Sequence, residues 1–136
     1  MQAHGVWKGG FATQLDDTRG HTVTIDEPTE YGGANSGTSG QELLLFALSG
    51  CISTIFHIVA EKRKLPFDGF TIQLKGERPR GAPTIERVHG SVEIRSTAPP
   101  DEVETVLRLT LKTCPVGVLF DRARVPVAVT CTVVPP

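Results

Sequence analysis

Cys51, Cys114 and Cys131 are the side chains of this 136-residue chain whose type could support redox chemistry. A thiolate attacks electrophiles, rises reversibly to sulfenic acid, and closes to a disulfide when a second thiol is near. Cys51 follows Ala47-Leu48-Ser49-Gly50 inside a long apolar run. A glycine inside a helix costs about 1 kcal/mol relative to alanine, so Gly50 implies close packing or access to the neighbouring sulfur. Cys114 directly precedes Pro115, where one helix ends and another turn begins. A helix N-terminus offers the positive end of a dipole and unpaired N–H groups, both favourable to a thiolate. Cys131 alternates with Val127, Val129 and Val133 on one strand face, and nothing around it would stabilise a thiolate. It reads as a core residue. By residue type alone, Cys51 and Cys114 fit two small packed hydrophobes and a redox pair equally well.

Other chemistries find less support. The cysteines lie 63 and 17 positions apart, without the paired spacing of a zinc site. His4, His21, His57 and His89 are isolated, and His57, six positions after Cys51, falls on another helix face. There is no G-x-S-x-G elbow, Walker loop or strand-embedded G-x-G-x-x-G, so neither a metal nor a cofactor is implied. Fourteen Lys and Arg against fifteen Asp and Glu leave a net charge of −1, which disfavours nucleic acid and anionic membranes as partners.

The elements that must position the thiols follow from periodicity. With 39% hydrophobic and 21% charged residues, the composition predicts one folded domain over residues 1–136. Residues 4–17 and His21–Asp26 alternate around the turn Asp16–Gly20 and predict a hairpin or short meander. Glu27–Gly40 is glycine-rich and aperiodic, hence a loop. Thr38 or Ser39 then caps a long helix, with Glu42 completing a capping box. That helix is apolar nearly all round and is expected to be buried nearly all round. Its run Leu43–Ala60 reaches the length of the shortest membrane spans. Ser49, Gly50, Ser53, Thr54 and His57 interrupt the run, so a central helix of a soluble fold is the expectation. Lys62, Arg63, Lys64 and Pro66 end it. Two strands follow, around Phe70–Leu74 and Ile85–Arg95, with a bulge expected at Gly90. A second helix opens at Pro99-Pro100-Asp101-Glu102, breaks at Cys114-Pro115 and is followed by a short helical piece to Phe120. Val125–Val134 is the last strand. Clustered strands with two helices between them make an α+β fold, and the unusually apolar helix predicts a homodimer with a shared core. Sparse cysteines and the absence of a signal-peptide pattern in Met1–Gly10 place the expected compartment in the reducing cytoplasm.

Taken together, Gly37-Thr38-Ser39-Gly40-Gln41-Glu42-Leu43-Leu44-Leu45, Ala47-Leu48-Ser49-Gly50-Cys51 and Leu111-x-x-Cys114-Pro115-Val116 resemble the OsmC/Ohr family, the osmotically inducible and organic hydroperoxide resistance proteins. The resemblance extends over the element order of the whole chain. It implies antiparallel sheets around a long buried central helix, in an intertwined homodimer with active sites at the subunit interface. It further implies that Cys51 is the peroxidatic thiolate and Cys114 the resolving thiol, with an organic hydroperoxide as substrate and a dithiol, often lipoyl, as reductant. Peroxidase members of the family carry a loop arginine paired with a glutamate ten positions before the reactive cysteine. Here that position is Gln41, and the loop Glu27–Gly40 holds no arginine, which leaves Glu42 and Arg19 as the candidates to stand in. The alternative from a different class is a non-catalytic module that holds a small hydrophobic ligand in the dimer cleft.

Overall fold

The computed structural model describes all 136 residues. It divides into two compact units, Met1–Leu44 and Leu45–Pro136.

In the first unit, strands β1 (His4–Gly9), β2 (Ala12–Asp16) and β3 (Thr22–Ile25) form an antiparallel meander in the order β1-β2-β3. The bulge of this protein lies here, where the β1–β2 register shifts between Trp7 and Gly9. Beyond β3 the glycine-rich segment is organised by one buried carboxylate. Asp26 accepts the N–H groups of Glu27 at 2.8 Å, Ala34 at 3.1 Å and Ser36 at 3.0 Å, and the Ser36 hydroxyl at 2.7 Å. Thr38 is thereby held against β3, its N–H donating to Thr24 O at 3.2 Å and its carbonyl accepting from Asp26 at 3.0 Å.

The expected capping box is formed. Glu42 N–H donates to Ser39 Oγ at 3.2 Å, and Ser39 N–H donates to Glu42 Oε2 at 2.8 Å, which starts helix α1 (Gly40–Arg63).

In the second unit α1 continues, followed by β4 (Gly69–Glu77), β5 (Arg87–Arg95), helices α2 (Pro100–Thr113) and α3 (Pro115–Arg122), and β6 (Val127–Val134). The sheet order is β4-β5-β6. β4 and β5 are antiparallel, whereas β5 and β6 run parallel because α2 and α3 carry the chain back across the sheet. That parallel pair departs from the all-antiparallel expectation. The expected bulge at Gly90 is also absent: β4 and β5 pair without interruption through Leu74 and Gly90. Glycine is required there for room, since a Cβ would run into the carbonyl of Gln73.

Inward-facing residues of β4, β5 and β6 receive one stripe of α1. Leu48, Ile52, Phe56 and Ala60, spaced four apart, are all fully buried. Phe56 and Ala60 pack with Val92, Ile94, Val103, Val106 and Leu107, and Leu48 and Ile52 with Ile85, Val88, Cys114 and Phe120. Burying such side chains stabilises the fold by roughly 1.5–3 kcal/mol each. Within one chain, however, α1 is covered on this side only. Phe46 is 58% exposed and Ile58 39%, with Ala47, Gly50 and Thr54 also exposed. Burial on all sides, expected from the composition of α1, is therefore not reached within a single chain.

Candidate thiol site

Cys51 and Cys114 reach the same place from elements 63 positions apart in sequence. Cys51 projects from the middle of α1, between Leu48 and Ile52, and is half-buried. Cys114 is fully buried at the break between α2 and α3. The break has a local cause. Pro115 lacks an N–H and drives the residue before it out of the helical region, so Cys114 adopts φ −62° and ψ 115°. Its N–H still donates to Thr110 O at 2.8 Å, closing α2, while its carbonyl accepts from Val118 at 2.9 Å, opening α3. Its Sγ accepts the Gly117 N–H at 3.4 Å and caps α3.

Cys51 packs against the hydrophobic cluster that holds Cys114, which brings the two thiols into one neighbourhood. Burial is the main cause pushing the Cys114 thiol up to about 11, and the neighbouring Cys51 thiol adds to it; the Gly117 and Val116 N–H groups pull the other way and do not prevail. The helix N-terminus was expected to favour a thiolate at Cys114. Desolvation overrides the dipole, and this sulfur stays protonated at neutral pH.

A cavity of about 330 Å³ opens beside Cys114. Leu48 and Ile52 of α1, Leu111 of α2, Val118 of α3, and Val125 and Val127 give it apolar walls, and Lys112 and Asp121 add one charge of each sign. Residue type did not single these positions out. The signal lay in helical spacing, since Leu48 and Ile52 flank Cys51, and Gly117 and Asp121 lie one turn apart on α3.

The remaining candidates fall elsewhere. Cys131, on β6 opposite Val92, belongs to the other hydrophobic cluster and is not brought to the pair. Burial, and secondarily the charge of Glu104, raise its pKa, in keeping with a core thiol. Glu42 is engaged by the helix cap, which holds its carboxyl below the ordinary range through the N–H and hydroxyl of Ser39. Gln41 stands half-buried in the first turn of α1. Arg19 is ion-paired with Asp17 at 2.8 Å in the turn after β2. His57 is exposed, with Nε2 3.5 Å from Glu61 and its ring edge-on to Phe67. No group of three or more His, Cys, Asp or Glu side chains is arranged to hold a metal ion.

The sequence profile of the OsmC-like proteins matches residues 33–130 of this chain. The chain belongs to the OsmC-like protein family. Among solved structures, an OsmC-like protein from Mycoplasma pneumoniae superposes with a TM-score of 0.85 at 17% identity, covering 98% of this chain and 96% of that one. An organic hydroperoxide resistance protein OsmC from Legionella pneumophila gives 0.76 at 17% identity, covering 96% and 95%. An organic hydroperoxide resistance protein from Elizabethkingia anophelis gives 0.76 at 20% identity, covering 96% and 93%. At these identities the likeness establishes the OsmC-like fold. No curated protein sequence matches.

Proposed function

We propose that this OsmC-like chain is a thiol-dependent peroxidase that reduces organic hydroperoxides through Cys51 and Cys114, as a cytoplasmic homodimer acting in oxidative stress. The observation that carries the reading is that Cys51 packs against the cluster holding Cys114, 63 positions away in sequence. Structural relatives named as organic hydroperoxide resistance proteins support a peroxide-resistance role at the level of the family. Cys51, the more exposed of the pair, attacks the distal peroxide oxygen, becomes a sulfenic acid and releases an alcohol. The Cys114 thiol then displaces the hydroxyl as water and closes a disulfide, which an external dithiol reduces. The apolar walls of the neighbouring cavity favour an alkyl hydroperoxide over hydrogen peroxide.

The exposed apolar side of α1, with Phe46 and Ile58, supports the dimer, because a second copy would cover it. Gln41 and Glu42 then support the start of α1 that carries Cys51.

The test is consumption of cumene hydroperoxide, tert-butyl hydroperoxide and hydrogen peroxide with dithiothreitol or dihydrolipoamide. Turnover of the organic peroxides, abolished by Cys51→Ser, is expected. A second reading, a non-catalytic module holding a small hydrophobic ligand, is favoured by the same apolar cavity. It predicts no peroxidase rate in the parent protein and ligand binding that survives Cys51→Ser.

A further inference from the structure

Cys114 serves two structures with one sulfur. Its side chain lies in the cluster against which Cys51 packs, and its Sγ receives the N–H group of Gly117 in the first turn of α3. Pro115, at the first helical position, has no N–H, and Val118 is satisfied by the Cys114 carbonyl. The side-chain cap of α3 is therefore this sulfur alone. α3 is eight residues long, and so short a helix depends on its ends and on packing for its stability.

We propose that closing the Cys51–Cys114 disulfide uncaps α3 and loosens the wall of the adjacent cavity, so that the reductant's route to the bond opens only once there is a bond to reduce. The inference rests on the two-cysteine reading above. In the closing step the sulfenic acid of Cys51 and the thiol of Cys114 form one S–S bond; the thiol proton leaves with the hydroxyl as water. Two non-bonded sulfurs must draw together to reach a bond of about 2.0 Å, whose preferred dihedral near 90° also dictates where each sulfur points. Drawing Sγ toward Cys51 pulls it away from the Gly117 N–H, whose bond to it is 3.4 Å in the reduced state. Gly117, Val118 and Asp121 line the cavity that Cys114 borders, so fraying of the first turn moves that wall. In the reduced state Cys114 has no exposed surface. When a dithiol does enter, its thiolate attacks one sulfur of the disulfide and expels the other as thiolate. Its second thiol then leaves with the first as a cyclic disulfide. Both cysteines are reduced again, and the Cys114 sulfur returns to the cap.

Amide hydrogen exchange at Gly117 and Val118, read by NMR on the full chain, tests this. Reduced protein is compared with protein oxidised by one equivalent of cumene hydroperoxide or by diamide, the disulfide being verified by a mass loss and peptide mapping. Exchange at both amides is expected to rise roughly fivefold or more on oxidation, the equilibrium factor of a lost N-cap. Amides in β4 and β5 should stay unchanged. In the reduced state Cys114→Ala, which removes the cap acceptor, should exchange like oxidised wild type, and Cys114→Ser, whose hydroxyl caps, like reduced wild type. A disulfide that forms without faster exchange at Gly117 and Val118 overturns the inference and leaves the peroxidase reading standing. Failure to form the disulfide with either oxidant overturns both.

Discussion

At Cys114, two principles point in opposite directions and burial prevails. The start of a helix favours a thiolate, yet a sulfur with no solvent contact and a second thiol against it holds its proton, with a pKa of about 11 against an ordinary 9.0. In the resolving role proposed above, Cys114 would meet a sulfenic acid beside it, and its burial would shield it from oxidation meanwhile. The shift carries a stability consequence of definite sign. A folded-state pKa above the unfolded one means that the stabilisation is complete below pH 9.0 and is lost as pH rises toward about 11. Melting temperatures measured from pH 8 to 11 should accordingly fall more steeply for wild type than for Cys114→Ser, in which nothing titrates at that position. Parallel curves would show that burial does not hold the proton.

Among the elements, the segment leading into α1 depends on two carboxylates. Asp26 sits in a cage of donors, with Ser36 foremost, that holds its pKa below the ordinary 3.8. A depressed pKa stabilises the fold in full above 3.8, and the contribution fades as pH drops through the folded value. Asp26→Asn should therefore lower stability at pH 7 by urea unfolding, with the gap to wild type closing toward pH 3; a gap independent of pH would exclude the cage. Ser39→Ala breaks the capping box and should cost about 1 kcal/mol in the same experiment. The box was legible in the sequence because Ser39 and Glu42 are local. The Asp26 cage was not, since Ala34 and Ser36 are brought round by a loop with no periodicity to betray its path. Gly90 shows a related limit: sequence gives a glycine in a strand two readings, a bulge or a close approach. Only the pairing of Leu74 with Gly90 selects the second.

The whole molecule is decided by what one chain leaves uncovered. α1 is long and apolar enough to cross a membrane, its most apolar 18-residue window having a mean hydropathy of 2.1 with 22% of that window buried. It nevertheless sets Leu48, Ile52, Phe56 and Ala60 into the core against β5 and α2, which is the packing of a core helix. The opposite side, with Phe46 and Ile58, is the side a second copy would cover. Sedimentation equilibrium should find the mass of two chains. Phe46→Glu, on the exposed side, should shift the equilibrium strongly toward one chain with secondary structure retained; a monomeric parent would remove the dimer from the proposal.

Sequence alone determined the elements and the candidate cysteines. Periodicity, capping signals and Pro115 are local properties, set by hydrogen-bond and torsional preferences within a few residues of each other. The motifs around Cys51 and Cys114 likewise carried the family resemblance without any coordinates. Tertiary structure alone decided that these two cysteines share one neighbourhood while Cys131 lies apart, and that the α3 sulfur stays a thiol. It also decided that β6 returns parallel to β5. Contact between distant residues and the loss of water around a buried group arise only when elements pack, and neither leaves a mark on the neighbouring letters of the chain.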